Sequence, residues 1–110
     1  MAKMTKKSFD EPDDSMQPAA NVKADEVEIG GVTVKRVTVD AGWRWSKDLK
    51  PVQKTDSCQT DHLLYLVFGK LSTKMNDGEE QEFGPGDMAH IPPGHDGWAD
   101  ERTVWLELPH

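Results

Sequence analysis

The chain has 110 residues, enough for one domain with a single core, and its formal net charge is −7. No apolar run approaches the roughly 18 residues that a membrane-spanning helix needs. Residues 1–7 are basic but lack the apolar stretch of a secretory signal. The single cysteine has no partner within the chain for a disulfide, which favours a cytoplasmic location. We therefore expect an acidic cytoplasmic protein with no membrane partner.

The negative charge is unevenly distributed. Residues 1–24 carry equal numbers of lysines and acids, so the net charge belongs to the remainder. Between Lys74 and Arg102 there is no basic residue except histidine, whereas that segment is rich in aspartate and glutamate. Such a surface repels phosphate backbones, so we expect no nucleic-acid partner. Its simplest interpretation is a solvated face that keeps the protein soluble.

The first 24 residues mix lysine, aspartate, proline, serine and alanine without sustained periodicity. We predict a flexible N-terminal arm over residues 1–24 and a folded domain over residues 25–110. In that domain, residues 26–29 and 32–39 alternate or are rich in β-branched side chains. Between them Gly30-Gly31 predicts a two-residue turn of the primed type.

The next segment is aromatic and then polar. Trp43-Arg44-Trp45 places two indoles on one face of an extended segment, either in the core or as the wall of a pocket. Residues 46–57 are predicted to form a long polar loop, and loops of about a dozen residues are often functional.

Several short strands follow. Residues 70–75 and 79–83 flank Asn76-Asp77-Gly78, a strong hairpin signal. Further short strands are predicted over residues 88–91 and 103–108, separated by turns rich in glycine and proline. No helical stripe exceeds two turns. The pattern predicts an all-β sandwich or barrel.

The most informative stretch is residues 58–69. It combines the only cysteine, Cys58, with His62 and then continues into an apolar strand that ends at Gly69. Polar, metal-capable side chains at the entry to a buried strand are costly unless they find a partner. We therefore expect the functional site here.

These residues resemble a small single-domain cupin. The resemblance rests on residues 62–71 and on residues 86–94, where a glycine is followed after five residues by Pro-x-Gly, and it covers about residues 26–108. It implies a cupin-type double-stranded β-helix (jelly-roll) barrel, commonly a homodimer, with the ligand site inside the barrel. Proteins of this fold include enzymes and non-catalytic binding domains, so the fold does not define a reaction.

The metal motifs of that family are altered here. Counted back from Gly69, His62 occupies the place of the usual glutamate, while Asp56 and Cys58 occupy the places of two histidines. The last usual histidine position holds Gly97, with His95 two residues earlier. The resemblance thus implies a substituted metal site made of Cys58, His62, His95 and Asp56.

Mixed sulfur, nitrogen and oxygen donors suit Zn²⁺ or Fe²⁺, and three protein ligands would leave an open position. Residues four apart on a straight strand lie about 13 Å from each other. Cys58 and His62 can therefore share an ion only if the chain bends at Thr60-Asp61.

Three metal-free interpretations remain open. Cys58 is a small apolar filler and His62 a satisfied barrel histidine, or His62 and Asp56 are catalytic acid and base groups, or Cys58 is a nucleophile. In the enzymatic interpretations Trp43, Trp45 and Trp98 line the substrate pocket.

Two functions follow. The first is a metal-dependent cupin that acts on a small molecule by oxidation, isomerisation or hydrolytic chemistry. The second is a non-catalytic module, without metal, that binds or senses a small ligand. For both we predict a homodimer, because a small barrel commonly leaves an apolar sheet face or edge to cover.

Overall fold

A computed structural model describes residues 2–110. Its elements are β1 (Asp14–Ala19), β2 (Val22–Ile29), β3 (Val32–Val39), β4 (Trp43–Arg44), α1 (Trp45–Asp48), α2 (Lys50–Gln53), β5 (His62–Phe68), β6 (Leu71–Met75), β7 (Glu80–Phe83), β8 (Met88–Ile91), β9 (His95–Ala99) and β10 (Thr103–Glu107).

The strands form two antiparallel sheets. The larger has six strands in the order β1-β2-β3-β10-β5-β8, and the smaller has four in the order β4-β9-β6-β7. Because β10 joins β3 to β5, the larger sheet brings the end of the chain into its centre. The two sheets enclose the core, whose least exposed large side chains include Val39, Leu64 and Leu66. The all-β fold predicted from the sequence is confirmed.

Glycines form the turns that set the strand register. Gly30 and Gly31 both have positive φ, 59° and 80°, as a type I′ turn requires. The register from Val22–Val39 to Ile29–Val32 is then continuous. Gly69 also has positive φ, and a Cβ placed there would lie 2.5 Å from Thr103 Oγ1 and closer still to the carbonyl oxygen of Arg102. That turn therefore admits no side chain.

The structure differs from the sequence prediction in two segments, residues 14–24 and residues 46–57. Strand β1 and the start of β2 lie inside residues 1–24, which were expected to be an arm. Asp13 N donates to Glu26 O at 2.9 Å, so pairing with β2 begins just before β1. The flexibility of residues 2–12 stays a prediction. The predicted loop over 46–57 contains α1 and α2, two helices of four residues each. In the described residues no helix is long and apolar enough to cross a membrane.

Candidate metal centre and cavity

A cavity of about 260 Å³ lies between the two sheets. Most of its wall is apolar and comes from inward-facing strand residues, among them Val22, Ala24, Val37, Leu64, Leu71 and Ile91. Three indoles, those of Trp43, Trp45 and Trp105, also line it. The polar part of the wall includes Cys58, His62 and His95, so the cavity and the histidines form one site.

Cys58 is joined to His95 through the backbone. The two residues form an isolated antiparallel bridge, in which Cys58 N donates to His95 O at 2.8 Å. Gly94 N donates to Cys58 O at 2.7 Å from the same turn. This pairing fixes Cys58 beside the first residue of β9. Both side chains are buried, each about 4 % exposed.

His62 approaches Cys58 and His95 from the larger sheet. It is the first residue of β5, and its Nε2 lies 3.7 Å from Cys58 Sγ. A straight strand would hold the two residues about 13 Å apart, so the chain bends between them, as the metal hypothesis requires. One ligand atom from each of Cys58, His62 and His95 lies within 4.8 Å of the others. The ring centroids of the two histidines are 5.2 Å apart.

The far nitrogens of both imidazoles face oxygen acceptors. His95 Nδ1 lies 2.7 Å from the carbonyl oxygen of Pro92. His62 Nδ1 lies 2.9 Å from Glu107 Oε1, although its approach is off the line of a straight hydrogen bond and His62 Nδ1 has no other partner. Since carbonyl and carboxylate oxygens only accept, both Nδ1 atoms carry the proton. Nε2 is then the nitrogen of each ring that would bind a metal ion, the arrangement found around metal-bound histidines, and on His62 the ion would displace the second proton of the imidazolium.

The electrostatics of the cluster favour the thiolate. Burial raises the pKa of the Cys58 thiol, but hydrogen bonding to His62 and His95 outweighs burial and lowers that pKa to about 6. Burial lowers the pKa of His62, but Cys58 and the Glu107 carboxylate raise it to about 9. Burial also opposes ionisation of Glu107, yet His62 holds the pKa of this carboxyl below its usual value. The thiolate is the form that binds metal ions, so the donor chemistry fits a metal centre.

Two of the predicted site residues lie elsewhere. Asp56 is exposed and belongs neither to the cluster of ligand atoms nor to the cavity wall. It lies in a bend after α2, where the alternation of a strand does not apply, so neither its metal-ligand nor its catalytic role is supported. Trp98 lies outside the cavity wall, and the guanidinium of Arg44 stacks over its ring at 4.6 Å. Trp43 and Trp45 do line the cavity.

Glu107 and Trp105 were not among the site residues predicted from the sequence. Glu107 Oε1 accepts a hydrogen bond from Trp105 Nε1 at 3.1 Å while it faces His62. Thr103, Trp105 and Glu107 share one parity of β10, and the first two are buried. A carboxylate on the buried face of the last strand was thus the signal available in the sequence.

No protein-family model matches the sequence, and no curated protein matches it. Solved structures are similar in fold. Ectoine synthase from P. lautus is 16% identical, with a TM-score of 0.68 over 96% of this chain and 78% of that one. A polyketide cyclase from Streptomyces resistomycificus is 14% identical, with a TM-score of 0.65 over the same shares. A cupin-2 domain protein from Shewanella frigidimarina is 20% identical, with a TM-score of 0.51 over 76% of this chain and 74% of that one.

These similarities and the two antiparallel sheets show that the chain has the cupin fold. At identities of this level they define the fold and not the activity. The cluster of Cys58, His62 and His95 could hold a metal ion, and it opens on a cavity of small-molecule size.

Proposed function

We propose that this protein is a metal-dependent cupin that binds one divalent ion through Cys58, His62 and His95 and acts on a small molecule in the adjoining cavity. The observation that carries the proposal is the convergence of the three donors within 4.8 Å, together with an acceptor at each Nδ1. A structural role for Cys58 and His62 does not require a third donor, His95, to lie within 4.8 Å of both.

The donor set favours Zn²⁺ or Fe²⁺, because one thiolate and two imidazoles suit both ions. When bound, such an ion polarises a substrate oxygen or lowers the pKa of a bound water. The protein supplies the rest. Glu107 keeps the proton on Nδ1 of His62, Pro92 does the same for His95, and the indoles of Trp43 and Trp45 supply aromatic wall to the cavity.

The reaction is proposed only as a class. Two neighbours in fold carry the names of a synthase and a cyclase of small organic molecules, which supports a small-molecule substrate. Among oxidation, isomerisation and hydrolytic chemistry, the described residues favour none.

Elemental analysis of protein purified without added metal tests the proposal. We expect about one ion per chain in the natural protein and a large loss in Cys58→Ser and His95→Ala. His90→Ala is the matched control, because His90 is an exposed histidine of β8 that pairs with Asp61 at 2.8 Å, outside the cluster. An ion content well below one per chain, unchanged by Cys58→Ser, would sink the proposal.

A non-catalytic binding module is the second candidate. It is favoured by the wall of the cavity, which is mainly apolar and aromatic around the three polar donors. In that case the natural protein has no turnover, and His62→Ala changes only ligand binding. A substrate screen that finds turnover in the natural protein, lost in His62→Ala, decides for the enzyme.

We also propose a homodimer and a cytoplasmic location. Tyr65 and Met88 are paired neighbours on the outer side of the larger sheet, 39 % and 54 % exposed, and Val67 lies on the same side. Strand β8 is moreover an edge strand of that sheet. Covering this apolar face by a second copy would remove it from water. Light scattering that gives a monomer mass at working concentration would refute the dimer.

A further inference from the structure

We propose that the ligand of the cavity is a small apolar acid whose single negative charge, on a carboxylate or a similar group, pairs with the ammonium of Lys35. The inference names the chemical class of the ligand. It rests on the function proposed above, which makes this cavity the ligand site and places a divalent ion in its wall.

Lys35 faces the cavity from β3. Residues two apart on a strand share a face, so Lys35 lies on the same side as Val37, which is buried. Both residues line the cavity. Lys35 is only half-buried, so its side chain stays accessible, unlike most of the apolar wall. Among the described residues it is the one lysine or arginine in that wall.

Lys35 also lies near the opening of the cavity. Met16 lines the cavity and is 38 % exposed, so the cavity reaches solvent beside β1. Met16 pairs with Ala24 on β2, and Ala24 pairs with Val37 on β3. Lys35 is the preceding residue on that face of β3. Its flexible four-carbon stem lets the ammonium contact the polar end of a ligand whose apolar end lies inside.

No acid of the described chain pairs with this ammonium. The cross-strand neighbours of Lys35 on its face are Glu26 of β2 and Glu107 of β10. Neither forms an ion pair with Lys35 in the part of the chain that the structure describes. Glu107 faces His62 Nδ1 at 2.9 Å instead, and Glu26 lies outside the cavity wall. The charge of Lys35 is therefore available to an anion from outside the chain.

The charges of the proposed metal centre favour the same kind of ligand. The Cys58 thiolate and the Glu107 carboxylate balance the two positive charges of a divalent ion. The ammonium of Lys35 then remains the unbalanced charge in the wall. A ligand with one negative charge would neutralise it, which is favourable because unpaired charge is costly beside apolar surface.

The rest of the wall defines the body of the ligand. It is mainly aliphatic and aromatic, and the volume of about 260 Å³ is slightly below the roughly 300 Å³ at which drug-sized pockets begin. A body of one or two fused rings with one acid group suits both the apolar wall and Lys35.

Two probes of nearly equal shape isolate the charge. We would measure the binding of 2-naphthoate and of 2-naphthamide at neutral pH by equilibrium dialysis with ultraviolet detection. The natural protein should prefer the acid by about tenfold, between the effect of an exposed ion pair and that of a buried charged hydrogen bond. Equal binding, preference for the amide, or binding of neither probe at millimolar concentration would overturn the proposal.

Lys35→Met removes the charge and keeps an unbranched side chain. We expect it to reduce the preference for the acid at least threefold while amide binding persists, which also shows that the variant is folded. Lys35→Arg keeps the charge and should retain most of the preference. Lys50→Met is the matched control, because Lys50 is an exposed lysine of α2 outside the cavity wall. A preference in Lys35→Met equal to that of the natural protein would refute the role of Lys35.

The two proposals fail separately. The metal proposal fails on ion content alone, whatever the probes do. The ligand proposal fails on the preference for the acid and on its dependence on Lys35, measured in the same preparations, whatever their ion content.

Discussion

Replacing Glu107 by glutamine tests whether the carboxylate beside His62 belongs to the proposed metal centre. In the structure Glu107 Oε1 faces His62 Nδ1 at 2.9 Å and accepts from Trp105 Nε1 at 3.1 Å. Glutamine keeps one acceptor oxygen but removes the charge that makes His62 more basic. Loss of such a partner typically weakens metal binding by about 10- to 100-fold, or about 1.4–2.7 kcal/mol.

We expect Glu107→Gln to fall near the lower end of that range, because about a quarter of the Glu107 side chain, 24 %, remains exposed to water. Glu107→Ala should fall near the upper end, because it leaves two buried donors, His62 Nδ1 and Trp105 Nε1, without an acceptor. Competition for Zn²⁺ with a chromophoric chelator at fixed pH measures both affinities.

Glu101→Gln is the control, since Glu101 is an exposed acid just before β10. Zn²⁺ affinities of Glu107→Gln and Glu107→Ala equal to that of the control would refute the reasoning, even if all of the variants bind one ion.

Three further predictions concern stability and binding. Gly69→Ala should lower the free energy of unfolding by at least about 2 kcal/mol, measured by urea denaturation, because it combines positive φ with a clash against Arg102 and Thr103. Asp25 is buried, which raises the pKa of its carboxyl, but Ser15 and Arg36 hold that pKa below its usual value. Its folded pKa is thus below its unfolded one, so its stabilisation is present at neutral pH and lost as pH falls below about 4. The urea midpoint of unfolding should therefore fall as the pH is lowered through that range, and this fall should be smaller in Asp25→Asn. Trp98→Ala should leave unchanged the affinity of the cavity for a ligand found by screening, measured by equilibrium dialysis, since the ring lies outside the wall.

Much of the fold follows from local patterns. The Gly30-Gly31 turn and the hairpin at residues 76–78 lie between strands with clear β-branched or alternating side chains. Strands β1 and β9 were not predicted. Their sequences contain Pro18 and Gly97, residues that disfavour strands, and tertiary pairing with β2 and β6 overrides that local preference.

The candidate site was only partly predictable. Spacing relative to Gly69 indicated Cys58 and His62, and the structure brings them together with His95. Counting positions back from Gly69 also selected Asp56, because sequence spacing does not reveal that the chain bends just before Cys58. Glu107 lies 45 positions after His62, and only the pairing of β10 with β5 places the two side chains together.

The bridge between Cys58 and His95 has a consequence for the whole barrel. His95 begins β9 of the smaller sheet and Cys58 is bridged to it, whereas His62 begins β5 of the larger sheet. An ion held by all three would cross-link the two sheets at one end of the cavity and would bind only the folded chain. The melting temperature should then rise with the concentration of free Zn²⁺. The free energy of unfolding increases by about 1.4 kcal/mol for each tenfold increase of that concentration above the dissociation constant. Unfolding of the chain would then release the bound ion.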